Sequence, residues 1–78
     1  MFSPGLLAMR VSDLSRECSL SPREEEVLQL LARKGTTAEI EENLFVARGT
    51  VKAHTSRIYR KLGVHSREEL YELLGIAE

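Results

Sequence analysis

The chain has a single cysteine among its 78 residues and lacks any apolar run near the roughly 20 residues of a membrane-spanning helix. Cys18 alone cannot form an internal disulfide, and no cysteine–histidine cluster offers the ligand set of a structural metal site. The opening segment lacks the basic start of a signal peptide and is interrupted by Pro4 and Gly5. These absences predict a chain that folds in a reducing cytosol without a metal, a cofactor or contact with a membrane.

The sequence also lacks a catalytic combination of nucleophile, base and acid. Ser21 and Ser66 stand where helix caps are predicted, and no histidine–acid pair is placed to activate either hydroxyl. His54 is the lone histidine of a predicted basic helix, where a phosphate or packing role is commoner than a metal role. We therefore predict that the chain is not an enzyme.

Acidic residues are absent from about one third of the chain. Between Asn43 and Arg67 there is no aspartate or glutamate, so this segment carries +6 while the remainder carries −7, which the formal net charge of −1 conceals. Charge separation of this kind indicates a surface for an anionic partner. The basic residues of the segment are Arg48, Lys52, Arg57, Arg60, Lys61 and Arg67.

The composition, 42% hydrophobic and 29% charged, is that of one small globular domain. Three stretches, 21–24, 36–39 and 66–69, have the capping-box pattern of Ser or Thr followed three residues later by Glu. They predict a helix that ends near Lys34, a short helix from Thr36 to Leu44 and a last helix after Ser66. A further helix is predicted over about 48–62, after an apolar turn at 44–46 and before Gly63. No core segment alternates with the period of a β-strand, so the predicted fold class is all-α.

Residues 1–18 are predicted to be an N-terminal extension or linker helix that precedes a domain at 19–78. Leu7, Val11, Leu14 and Cys18 recur at helical spacing and would share one face of such a helix. A frayed leader is the alternative, and the sequence leaves both interpretations open. Cys18 on this stripe is interpreted as an inert packing residue.

The third helix of the predicted domain, at 48–62, has an apolar side and a basic side. Val51, Thr55, Ile58 and Leu62 cluster on one side. Small side chains on the other side would let the helix axis approach base edges, and the major groove of B-DNA admits one α-helix. A short helix, a tight turn and a basic helix form the helix-turn-helix arrangement. The basic side holds Arg48, Gly49, Lys52, Ala53, Ser56 and Arg60, with Arg57 at its border.

Helix dipoles explain part of this charge pattern without a ligand. Arg60 and Lys61 stand in a last helical turn, where a cation is stabilising. Dipoles do not explain Arg48, because it stands at a helix start, where a cation is unfavourable. We therefore predict that the third helix binds nucleic acid, with Arg48 and Arg60 near phosphates.

Four segments, LSPRE, EI before LF, GTVKAH and KLGVHSR, occur in this order within residues 20–74. Together they resemble the LuxR-type (GerE-type) helix-turn-helix DNA-binding domain of bacterial transcriptional regulators. The resemblance implies a four-helix domain that places its third helix in the major groove and dimerises on DNA through its last helix.

The resemblance also assigns roles by position. The matches to base-contacting positions are Lys52, Ala53 and Ser56. The matches at or near the phosphate backbone are Thr50, His54 and Arg57, together with Thr36 and Thr37 at the start of the preceding helix. Apolar residues cover more of the last helix than one core-facing stripe needs, which predicts that Leu70, Tyr71, Leu73 and Leu74 hold the dimer.

Three positions depart from the family pattern. Ala47 stands where Ser or Thr usually caps the third helix, and Ala38 where a lysine usually meets phosphate. Glu41 stands where alanine usually lies at a close helix crossing. We expect the fold to survive these changes and DNA affinity and docking angle to be affected.

The predicted function is sequence-specific binding of double-stranded DNA by a bacterial transcription regulator. The expected location is the cytoplasm, on the nucleoid when bound, with RNA polymerase as a further partner. Two alternatives stay open. Region 4 of an alternative sigma factor has a similar layout, although the KLGVHS turn before a capped fourth helix favours the LuxR type. A helical protein-interaction module would instead present the basic side to an acidic protein.

Overall fold

The computed structural model describes the backbone of residues 4–76 and the side chains of residues 9–76. Its helices are α1 (Pro4–Glu17), α2 (Pro22–Ala32), α3 (Thr37–Leu44), α4 (Arg48–Leu62) and α5 (Arg67–Leu74). No strand occurs within residues 4–76, so the all-α prediction is confirmed, including the N-terminal helix that the sequence had left open. None of the helices in this range is long and apolar enough to cross a membrane.

Side-chain caps start three of these helices, but only one of the three predicted capping boxes is complete. Ser21 Oγ accepts from the Glu24 N–H at 3.1 Å, and Glu24 Oε1 accepts from the Ser21 N–H at 2.9 Å. At α5, Ser66 Oγ accepts from the Glu69 N–H, but the Glu69 carboxylate accepts from the His65 N–H instead of closing the box. At α3 only the hydroxyl of Thr36 forms its bond, to the Glu39 N–H at 3.2 Å.

The helices enclose one hydrophobic core to which α1 also contributes. Val11 of α1 is fully buried, and Leu14 packs against the same cluster. Arg10 Nη1 donates to the carbonyl of Leu74 at 2.7 Å, which joins α1 to the end of α5. The predicted helical face is therefore used in packing, although the Leu7 side chain lies outside the described residues. The division of the chain into an extension at 1–18 and a domain at 19–78 stays a prediction. The core residues are Val11, Val27, Leu28, Leu31, Ala32, Ile40, Val51, Ile58, Val64, Leu70 and Leu74.

The bounds predicted for α4 are confirmed. Gly63 follows it in a left-handed conformation, with φ of 73°, and ends the helix as the sequence indicated. Val51 and Ile58 are buried, while Thr55 and Leu62 are half-buried on the same side. The core thereby holds α4 by one side and leaves its other side to solvent.

The apolar turn predicted at 44–46 is only partly buried. Leu44 and Val46 pack against the core, but Phe45 is 94% exposed and adopts a left-handed conformation with φ of 56°. Because the chain reverses direction at this residue, three successive side chains cannot all face the core. The turn lies where it was predicted, and Phe45 is its exposed residue.

A buried carboxylate ties the start of α2 to the end of α4. Glu24 is 3% exposed, and its Oε1 accepts from Lys61 Nζ at 2.8 Å. Lys61 Nζ also donates to the carbonyl of Ser19 at 3.1 Å. The hydrogen bond from Lys61, followed by that from the Ser21 backbone, lowers the pKa of Glu24. Lys61 is thus a structural cation, which agrees with the dipole-and-stability interpretation of this residue.

Candidate nucleic-acid interface

The solvent side of α4 combines small residues with cations. Lys52, Ala53 and Ser56 are exposed, and Arg57 and Arg60 are exposed beside them. Since Val51 and Ile58 fix the opposite side in the core, this surface has a defined orientation. All three predicted base-contacting residues therefore share an accessible face.

Half of the six basic residues in segment 43–67 have no partner in the described part of the chain. Lys52, Arg57 and Arg60 form no ion pair within residues 9–76, so their charges are available to an external anion. The other three are engaged within the fold. Arg48 pairs with Glu41, Lys61 pairs with Glu24, and Arg67 donates to the carbonyl of Gly35.

The start of α4 has no side-chain cap. Ala47 adopts the extended backbone of an N-cap residue, with φ of −75° and ψ of 158°, but forms no side-chain hydrogen bond. The first N–H groups of a helix have no intrahelical acceptor and favour anions. Arg48, Gly49 and Thr50 are exposed at this end, and no acid stands in the first turn. This end of α4 is thus electrically positive.

Ala47→Ser is expected to raise the free energy of unfolding by about 0.5–2 kcal/mol, because a serine oxygen would accept from an unsatisfied N–H group. DNA affinity should stay nearly unchanged or fall slightly, since the same N–H groups would meet phosphate. Thermal melts with and without a duplex measure both effects, and Ala38→Ser, at another exposed helical position, is the control for the melts without duplex. An unchanged or lower melting temperature for Ala47→Ser would contradict the prediction.

The predicted phosphate-contacting residues differ in accessibility. Thr36 is exposed at the start of α3, and Thr37 beside it is half-buried. His54 is half-buried, and its Nδ1 is enclosed without a hydrogen-bond partner in the described part of the chain. This nitrogen therefore faces protein, so any phosphate contact by His54 must use another part of the ring.

Two of the four residues predicted to hold a dimer are part of the core of a single copy. Leu70 and Leu74 form the core-facing stripe of α5 and are fully buried. Tyr71 is half-buried, with Lys34 Nζ and the Arg67 guanidinium each 5.7 Å from its ring centre. Leu73 is 42% exposed. The apolar surface on α5 that a second copy could reach is therefore reduced to Leu73 and part of Tyr71.

Sequence reasoning missed two polar contacts around α4. Glu24 and Lys61 lie 37 positions apart, so no local pattern could join them. The pair of Glu41 and Arg48 spans the turn between α3 and α4, with 3.7 Å between Oε2 and Nε. The sequence signal for this pair was Glu41, an acid where the family usually has alanine. It lies shortly before Arg48, a cation at a helix start.

The geometry of α3 and α4 defines a class of protein. A short helix packs against a longer one across a tight turn, and the second presents a basic, small-residue surface. This is the helix-turn-helix arrangement of DNA-binding domains.

Comparison with known proteins gives the family. The family described as "Bacterial regulatory proteins, luxR family" (GerE) matches residues 18–74. The spore germination protein GerE of Bacillus subtilis (strain 168) is 38% identical over 71 residues, which are 90% of this chain and 96% of that protein. The chain belongs to the luxR family of bacterial regulatory proteins.

Two further relatives are longer than this chain. The putative HTH-type transcriptional regulator YhjB of Escherichia coli (strain K12) is 37% identical over 78 residues, 99% of this chain and 39% of that protein. The oxygen regulatory protein NreC of Staphylococcus aureus (strain JH9) is 49% identical over 53 residues, 68% of this chain and 24% of that protein. No solved structure matches the chain.

Membership of this family confirms the prediction of a DNA-binding helix-turn-helix domain of transcription regulation. It also favours the LuxR type over region 4 of a sigma factor. The family consists of transcription regulators and not of enzymes.

Proposed function

We propose that the chain binds double-stranded DNA sequence-specifically, with the solvent side of α4 in the major groove and Lys52, Ala53 and Ser56 at the base edges. The observation that carries this proposal is the surface of α4, where unpaired cations alternate with small side chains. Lysine can donate to guanine O6 and N7, and a small residue beside it allows close approach of the helix. Ala53 can contact a thymine methyl group, and Ser56 can donate or accept.

Phosphate contacts would surround this base-contacting centre. The start of α4 offers Arg48 and Thr50 beside uncapped N–H groups, and the start of α3 offers Thr36 and Thr37. Arg57 and Arg60 extend the positive surface along α4. His54 is also proposed to contact phosphate, through the accessible part of its ring.

The affinity for duplex DNA should fall linearly with salt on logarithmic axes, with a slope of about −0.9 per phosphate neutralised. The two unpaired cations of α4 that are assigned to phosphates, Arg57 and Arg60, predict a slope of about −1.8 or steeper per bound copy. Fluorescence anisotropy with a labelled duplex at several salt concentrations measures it.

Two double variants show which cations cause the salt dependence. Arg57→Ala with Arg60→Ala should make the slope shallower by about 2. Arg16→Ala with Arg23→Ala removes two exposed cations from other helices and should leave it nearly unchanged. A flat salt response in the unaltered protein would contradict DNA binding through α4. It would favour the protein-interaction alternative.

We further propose that two copies bind one DNA site through α5, with Leu73 at the contact. Its partial exposure beside the buried Leu70 and Leu74 supports this. Sites selected from random duplexes should then contain two half-sites related by two-fold symmetry. Leu73→Lys should remove most of the gain in affinity that a duplex with two half-sites has over a duplex with one. Met9→Lys, at an exposed apolar residue of α1, is the control and should leave this gain unchanged. One-to-one binding of an asymmetric half-site at full affinity would contradict the dimer.

RNA polymerase is proposed as a further partner, since a transcription regulator acts on that enzyme's access to a promoter. The exposed Phe45 beside α4 supports a protein contact at the turn, because exposed aromatic residues are enriched in protein interfaces. The proposed location is the cytoplasm, on the nucleoid when DNA is bound. We propose no enzymatic activity for the chain.

A further inference from the structure

Glu41 places a negative charge beside the proposed DNA-binding surface. Its Oε2 lies 3.7 Å from Nε of Arg48, which is in the first turn of α4. The other three exposed cations of α4 described above have no such acidic partner. Arg48 therefore differs from Lys52, Arg57 and Arg60 in that an external anion must compete for it.

The carboxylate of Glu41 is better fixed than the guanidinium that it binds. The side chain of Glu41 is 27% exposed, against 68% for Arg48. The backbone of Glu41 is also anchored, because its carbonyl accepts from the N–H groups of Phe45 and Val46 in the turn. Arg48 can thus move away from the pair more easily than Glu41 can.

Glu41 also offsets two unfavourable features of α4. The helix has no side-chain cap and has a cation instead of an acid in its first turn. A carboxylate near this end complements both the helix dipole and the charge of Arg48. The pair therefore stabilises the folded chain at the place where a phosphate would otherwise supply the negative charge.

We propose that Glu41 is an affinity-setting residue, which weakens DNA binding by holding Arg48 in an intramolecular ion pair that a phosphate must displace. This inference rests on the proposed function, because it concerns the same surface. Pairs between exposed charges are weak, so removing the competing charge should tighten binding by about twofold to fivefold. The slope of the salt dependence should stay nearly unchanged, because Arg48 contacts a phosphate in the complexes of both proteins.

The test compares Glu41→Gln with Glu42→Gln, each with and without Arg48→Ala, on one labelled duplex at several salt concentrations. Gln keeps the size of Glu41 but removes its charge. Glu42 is the adjacent exposed acid and forms no ion pair within the described residues, so its variant measures the general effect of removing a negative charge. Glu41→Ala serves as a second variant, and thermal melts of all proteins confirm folding.

The expected result is tighter binding with a nearly unchanged salt slope for Glu41→Gln, together with a lower melting temperature of the free protein. The gain in affinity should disappear in the Arg48→Ala background. The inference is overturned if Glu41→Gln binds no more tightly than the unaltered protein. It is equally overturned if Glu42→Gln, or the Arg48→Ala background, shows the same gain. Failure of the unaltered protein to bind any duplex would instead reject the proposed function itself.

Discussion

Glu24→Ala should lower the free energy of unfolding by roughly 2–4 kcal/mol, since it removes a capping hydrogen bond and a charged bond to Lys61 together. Glu24 is 3% exposed, so its hydrogen bonds are shielded from water and contribute more than those of an exposed pair. Lys61 is more accessible, with 38% of its side chain exposed, and can regain hydration, which limits the loss. Urea denaturation at neutral pH measures this difference.

Glu24→Gln separates the two contributions. Glutamine can still close the capping box with Ser21 but cannot form the ion pair, so we expect a smaller loss, about 1–2 kcal/mol. Glu26→Gln is the matched control on the same helix, because Glu26 forms only an exposed pair with Arg23 and should change stability by less than about 0.5 kcal/mol. Equal losses for Glu24→Gln and Glu26→Gln would contradict a structural role for the pair with Lys61.

The stabilisation by Glu24 should depend on pH. Hydrogen bonds from Lys61 and from the Ser21 backbone lower the pKa of Glu24 below its ordinary value of 4.5. Its contribution is therefore complete above the unfolded pKa and is lost as the pH falls through the lower pKa of the folded state. The stability difference between the unaltered protein and Glu24→Gln should be constant near neutral pH and shrink below 4.5. A difference that grew on acidification would contradict this sign.

Lys52→Ala is expected to weaken binding to a selected site by about 1–3 kcal/mol and to relax the preference at one base position. The reason is that Lys52 lies exposed and unpaired at the centre of the solvent side of α4, where a lysine can donate to a guanine. Affinities for the selected duplex and for a set of single-base variants measure both effects.

Arg57→Ala provides the comparison, because we assign Arg57 to the phosphate backbone. It should weaken binding to all duplexes by nearly the same factor and reduce the salt slope by about 1. If Lys52→Ala weakened selected and random duplexes equally, Lys52 would be a phosphate contact and the base-contacting assignment would be wrong.

The sequence predicted α4 almost to the residue because the signals that fix a helix are local. Its apolar residues recur with the helical period, and Gly63 supplies the left-handed conformation that ends it. The packing of α1 could not be decided in this way. Its period indicated a helical face, but burial of Val11 depends on surfaces of other helices.

Sequence reasoning missed the contacts whose partner a local pattern does not determine. A capping-box pattern cannot show that the Glu69 carboxylate binds the His65 N–H, or that Glu24 also binds Lys61. An apolar stripe likewise does not reveal how α5 divides its leucines between the core and solvent. The resemblance to the LuxR-type domain is the source of the proposed base-contacting positions, but it carried no information about the partner of Arg48.

The solvent side of α4 can be tested directly by titrating the isotopically labelled chain with a selected duplex and following its backbone amides by NMR. We predict that the largest shifts occur at Gly49, Lys52, Ala53 and Ser56, with smaller ones at Thr36 and Thr37. The amides of α1 and of the buried side of α5 should change less. Shifts concentrated on α1 or on the acidic start of α2, with α4 unaffected, would contradict the account.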